Sequence, residues 1–138
     1  MRPVLLDTNV LSELVRAQPD ERVTAFVGNV ASPLISALTL HELTFGAARS
    51  DDPARRERLM AWIETVRARF AGRIIDVDPD VAEIAGRLRA GASLAGRPAD
   101  PIDALIAASA LVRDAVIATR NVRDFEPLGV ELVDPWSH

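Results

Sequence analysis

A chain of 138 residues with 49% hydrophobic and 26% charged residues has the composition of one globular domain, not of a disordered segment. It has no cysteine, and all sixteen of its basic residues are arginine, so disulfide frameworks, thiolate zinc sites, P-loops and lysine Schiff bases are excluded together. The formal charge of −4 argues against a uniformly basic nucleic-acid binder.

Apolar runs alternate with helical patterns along the chain. Val4-Leu5-Leu6 is a short strand-like run ending at Asp7, and Leu11, Leu14 and Val15 then fall at helical spacing. Asp20 to Val30 predicts a short helix with Val23, Phe26, Val27 and Val30 on one face. Pro33 to Ser36 predicts a brief strand, and Leu40 to Arg49 a helix. In Pro53 to Phe70, Leu59, Trp62, Ile63, Val66 and Phe70 repeat at helical intervals. Asp52 and Pro53 open that helix and Gly72 closes it. Arg73 to Val77 predicts a strand, Pro79 to Leu94 a helix, and Pro101 to Val112 an alanine-rich helix small enough to lie close to a sheet. Val116 to Ala118 and Val130 to Val133 are the last strands. The longest nearly apolar stretch, Ala104 to Val112, is about half a membrane span. The N-terminal stretch reaches Asp7 too early for a signal-peptide core. A soluble, cytoplasmic protein is expected. Strands separated by helices imply a parallel sheet covered on both faces, with ligands bound beyond the carboxyl ends of its strands.

Four acids stand at such places. Asp7 closes the first strand, Glu42 opens the helix after the second, Asp103 opens the alanine-rich helix, and Asp124 follows Val116 to Ala118. Two carboxylates about 5 Å apart repel by roughly 3 kcal/mol at an effective dielectric near 20. Four of them together require either raised pKa values or bound divalent cations. Oxygen ligands favour magnesium-like hard ions, and a pair of such ions suits phosphodiester cleavage. Between Arg49 and Arg73, seven arginines face Asp51, Asp52, Glu57 and Glu64, a local balance of +3. An RNA backbone can lie along such a face.

Each residue also has a plainer role. Thr39 and Glu42 fit a capping box. Asp100 fits an N-cap with Asp103 in the first turn. Asp7 or Thr8 fits a cap for the first helix, and Asp124 fits a solvated turn. The arginine-rich helix fits an exposed face carrying pairs such as Glu64 with Arg67. Trp62 fits core or a partner interface.

Beyond these local patterns, Leu5-Leu6-Asp7-Thr8-Asn9-Val10-Leu11-Ser12-Glu13-Leu14 resembles the first motif of PIN-domain ribonucleases. Ser36 to Gly46 resembles their second, Asp103 to Ala110 their third, and Ala118-Thr119-Arg120-Asn121-Val122-Arg123-Asp124-Phe125 their fourth. Val133-Asp134-Pro135-Trp136 resembles the usual ending. Within the family the chain looks most like VapC toxins of bacterial toxin–antitoxin modules, in the FitB-like branch. The resemblance implies a single α/β PIN domain over residues 1–138, with three α/β/α layers and a parallel sheet ordered 3-2-1-4-5. It implies a Mg2+-dependent endoribonuclease, with Mn2+ substituting, that hydrolyses RNA by metal-activated water. Asp7, Glu42, Asp103 and Asp124 take the catalytic and metal-binding positions, supported by Asn9, Thr119 and Asn121. Asn121 is a candidate to share the role of Asp124, and Asp100 competes with Asp103. The expected partners are an RNA substrate, a VapB-like antitoxin that docks on the Leu11 and Trp62 helices, and a second copy in a homodimer.

The alternative from another class is a catalytically weak PIN-fold module that binds RNA or protein. A haloacid-dehalogenase-type phosphatase expects an acid where Asn9 stands and a lysine the chain lacks. A serine triad has only His41 and His138 to draw on. His41 is also a candidate general acid.

Overall fold

The computed structural model describes residues 2–137. Met1 and His138 lie outside the described residues. Five short strands are β1 (Val4–Leu6), β2 (Ile35–Ser36), β3 (Ile74–Ile75), β4 (Val116–Ala118) and β5 (Leu132–Val133). The helices are α1 (Thr8–Leu14), α2 (Glu21–Gly28), α3 (Ala37–Ala48), α4 (Pro53–Arg69), α5 (Pro79–Leu94), α6 (Pro101–Leu111) and α7 (Val122–Phe125), which runs into a 3-10 turn at Glu126–Leu128.

All pairings are parallel. β1 pairs with β4, Leu6 opposite Ala118, and β4 pairs with β5, Ala118 opposite Val133. β2 pairs with β3, Ile35 opposite Ile74. The two ladders meet through one residue. Leu34 bridges Leu5, taking its carbonyl to the Leu6 amide at 2.8 Å and its own amide to the Val4 carbonyl at 2.9 Å. The strands therefore run 3-2-1-4-5 across the molecule, as the resemblance implied.

Successive strand residues point to opposite faces, and the core divides accordingly. Leu5 and Ile117 pack with Val81, Ala104, Ile106 and Phe125. Leu6 and Ile35 pack with Val10, Leu11, Leu43, Ile63, Val66 and Trp136 on the other face. Ala104, Ala107, Ala108 and Ala110 are all buried, so α6 sits against the sheet on small side chains.

Helix starts are written in the sequence. Asp7, Asp20, Ser36, Asp52, Asp78 and Asp100 each cap a helix with a side-chain oxygen. The expected box at Thr39 and Glu42 is corrected. α3 starts three residues earlier, where Ser36 ends β2 in extended conformation and accepts the Leu38 amide at 3.1 Å. Thr39 is thus a fully buried residue of the first turn. The third strand is shorter than its apolar pattern. Arg73 is taken up in closing α4, its guanidinium donating to the carbonyls of Pro33 and Arg69 at 2.7 and 2.6 Å. Asp76 and Val77 are exposed and lead into the Asp78 cap. Helix α7 and its 3-10 turn replace an expected loop; Gly129 ends the turn at φ 70°, where a side chain would be strained.

Candidate active site

The carboxyl ends of β1 and β4 hold the first part of the site. The Asp7 amide donates to the Ala118 carbonyl at 2.9 Å, which fixes the residue just beyond the last rung. One Asp7 oxygen, Oδ1, caps α1 through the Thr8 amide at 2.9 Å. The other, Oδ2, accepts the Thr119 hydroxyl at 2.8 Å and the Asn9 amide at 3.2 Å. Thr119 is fully buried and its Oγ1 accepts the Asn121 amide at 2.9 Å. Asn9 Oδ1 accepts the Arg120 amide at 3.3 Å. The first and fourth motifs are thereby locked to one carboxylate, which is only 5% exposed. Burial raises the Asp7 pKa above the ordinary carboxylate range, and Glu42 adds to the rise, against lowering by the Thr119, Thr8 and Asn9 donors.

Thr119→Val tests this bracing. It removes the donor to Oδ2 and leaves the Asn121 amide without its acceptor, so a loss of about 1–3 kcal/mol in a urea melt is expected. An unchanged midpoint would show that the hydroxyl carries nothing.

Glu42 lies on the second turn of α3, half-buried, and its Oε1 accepts the Thr8 hydroxyl at 2.6 Å. The Thr39 hydroxyl lies 3.2 Å from that of Thr8. A capping role is excluded for Glu42, because α3 already has Ser36. Asp103 is the third residue of α6, where Asp100 makes the cap, accepting the Ile102 and Asp103 amides at 2.8 and 3.4 Å. That cap is Asp100's role in the fold. Among the described residues nothing donates to the Asp103 carboxylate. Its pKa is pushed up to about 7, first by burial and then by the charges of Asp100, Asp7, Asp124 and Glu42. The other three sequence-predicted acids therefore all act on Asp103. They do not close into a cage: among the described residues, no group of three Asp, Glu or His side chains is arranged to hold a metal ion.

Two grooves meet at these acids. One, of about 950 Å3, is lined by Asp7, Glu42 and Asp103 together with Arg16, Arg55, Arg58, Arg120, Trp62 and Asn121. The other, of about 680 Å3, is lined by Glu42, Asp103 and Asp124 with Asp100, Arg97 and Arg123. The expected Glu64–Arg67 pair is absent. Among the described residues no α4 arginine makes an ion pair with a carboxylate, so Arg55 and Arg58 face the first groove with their charge uncompensated. The Arg120 guanidinium lies 5.0 Å from the Trp136 ring centre, a cation–π contact that holds it at the groove wall.

Residues 4–129 match the PIN domain. The chain belongs to the PIN-domain family. The VapC ribonuclease Y4jK of Sinorhizobium fredii is 35% identical over 136 residues, covering 96% of this chain and 97% of that protein. The solved FitAcB structure from Neisseria gonorrhoeae superposes with a TM-score of 0.91 at 35% identity, covering 98% of this chain and 99% of that one. VapBC-5 of Mycobacterium tuberculosis, a member of the VapBC family of toxin-antitoxin systems, superposes with a TM-score of 0.71 at 27% identity, covering 96% of this chain and 98% of that one.

Several site residues of this PIN domain have roles that sequence reasoning did not assign. Thr8 and Thr39 fit caps by type, yet the Thr8 hydroxyl bonds Glu42 and lies beside the Thr39 hydroxyl. Arg120 and Trp136 were read only as parts of motifs. Glu13 is buried; it accepts the Asp20 amide at 2.8 Å and pairs with Arg16 at 3.1 Å. The Asp20 amide, then Arg16, hold its carboxyl below the usual range. Its position three residues after Val10, on the apolar face of α1, was the available signal. His41 is exposed on α3 and lines neither groove.

Proposed function

We propose that this PIN domain is the toxin of a toxin–antitoxin pair and acts as a metal-dependent endoribonuclease. The observation that carries the reading is Asp103: a carboxylate without a donor, pushed up to about 7 by burial and by four neighbouring acids. A negative charge in the first turn suits the α6 N-terminus, but that benefit does not call for four acids around it, whereas functional sites accumulate such groups. The ribonuclease and toxin-antitoxin relatives support the same reading.

The donor set is all oxygen, which fits Mg2+ or Mn2+. Asp7, Glu42, Asp103 and Asp124 would hold the ions. A hard cation supplies charge to the phosphate oxygens and lowers the pKa of the attacking water. The protein's own residues do the rest. Thr119 and Asn9 fix Asp7 Oδ2, and Thr8 fixes Glu42. Arg55, Arg58 and Arg120 hold RNA phosphates along the first groove.

The antitoxin docks on the apolar groove of about 490 Å3 lined by Leu11, Leu14, Trp62, Val66 and Phe70. Leu11 is buried and Trp62 half-buried, so the first serves the core and the second is open to a partner. Phe45 and Leu94 are exposed and are apolar surface for a second copy.

A second reading, binding without cutting, is favoured by the open spacing of the acids. Melting in magnesium against EDTA, with a cleavage assay on mixed RNA, separates the two. An ion present at 100 times its Kd stabilises the fold by about 2.7 kcal/mol, a rise of several degrees. That rise together with cleavage is expected. No rise and no cleavage would leave the binding module.

A further inference from the structure

We propose that the groove between Arg97 and Arg123 is a second binding site for the RNA strand, on the other side of the acids from the arginines of α4. This rests on the ribonuclease reading above. The two grooves share Glu42 and Asp103, so a strand whose scissile phosphate reaches the acids has one groove before it and one after it. Both carry cations free to meet phosphates. In the first, Arg55 and Arg58 make no ion pair among the described residues. In the second, Arg123 is exposed on α7 with no carboxylate partner among the described residues. Arg97 pairs only with Glu126, at 3.6 Å, and both side chains are about half exposed. Such a surface pair is weak, and a phosphate competes with it.

The second groove also carries Asp100 and Asp124, so it is acidic on balance and is the weaker of the two. Asp100 is committed to capping α6, which leaves Asp124 beside Arg123. One charge addresses the site of cleavage and the other the phosphate next to it. Clefts flanked by arginine track the backbone of a single strand. The substrate is therefore an RNA that extends on both sides of the cut, and a bond at a chain end is a poor substrate.

The test uses the whole protein and a synthetic single-stranded oligoribonucleotide with one cut site, together with versions trimmed on one flank or the other. Arg123→Ala is expected to weaken the full-length substrate about fourfold at physiological salt, in KM rather than kcat, and to lower the salt slope by about 0.7. Arg123→Lys should restore both. On the version that lacks the flank held by the second groove, Arg123→Ala and wild type should coincide, while Arg58→Ala remains defective. On the other trimmed version the pattern should reverse. An Arg123→Ala protein with wild-type KM on every substrate, or with the same deficit on both trimmed versions, overturns the proposal. If wild type cuts no RNA, the ribonuclease reading has failed instead. Fluorescence polarisation with the same labelled oligonucleotides then decides the groove: fourfold weaker binding by Arg123→Ala supports it, and equal affinity overturns it.

Discussion

Asp7→Asn is expected to lower RNA cleavage by about a thousandfold or more while the fold survives. The size follows from removing a charge that would hold the proposed cation, a matter of several kcal/mol in the transition state. The fold survives because asparagine has the same shape and caps helices as well as aspartate does, so the bond from the Thr8 amide is kept. At the Oδ2 position the variant places an amide NH2, which can donate to the Thr119 oxygen but no longer accepts from Thr119 or Asn9, and carries no charge. Burial makes the wild-type charge costly, since it raises the Asp7 pKa, and relief of that cost offsets the acceptor lost at Oδ2, so metal-free Asp7→Asn should still melt cooperatively at neutral pH. The two readouts separate the roles of one side chain. A purely capping Asp7 predicts wild-type cleavage by the variant, and that result would remove Asp7 from the chemistry. Loss of cleavage with a collapsed melting curve would assign it to the fold alone.

Much of this arrangement could be read along the chain because its signals are local. Proline after aspartate marks the starts of α4 and α6, and an acid directly after an apolar run marks Asp7 at the end of β1. The parallel order followed from the resemblance rather than from these signals. What escaped depends on distant partners. Ser36 and Thr39 are equally good caps by type, and three residues apart they cannot be told apart locally. The choice is made by β3, which pairs Ile75 with Ser36 and so keeps Ser36 extended until α3 begins. Thr39 is then buried against Thr8, thirty-one positions away. The same holds for Arg73, whose alternation looked like a strand until its guanidinium was taken by Pro33 across forty positions. Helix α7 has four residues, too few for a periodic pattern. The convergence of the acids was legible from the strand ends, but their spacing was not: it depends on how elements far apart in sequence pack, and the mutual repulsion that raises the Asp103 pKa is encoded by no local pattern.

The same repulsion gives the second large effect, in Asp103→Asn. An acid whose pKa is higher in the folded than in the unfolded chain binds its proton more tightly when folded. Its contribution is most favourable below the unfolded value. It is lost as pH rises from about 3.8 to about 7, and above that range the folded state carries the full cost of the charge. Asparagine cannot titrate and carries no such cost. In EDTA the variant should therefore match wild type near pH 4 and become progressively more stable than it up to pH 8. The gap should reach about 1–2 kcal/mol, once the partial solvation of Asp103 is allowed for, or roughly 3–6 °C in Tm. On the metal-dependent reading, magnesium should close or invert the gap, because a cation would offset the charge in wild type and would find one ligand fewer in the variant. Urea melts across that pH range, with and without magnesium, measure both. A difference that stays flat from pH 4 to 8 would mean that Asp103 is not held up by its neighbours. A gap that magnesium leaves untouched would mean that the acids share no cation.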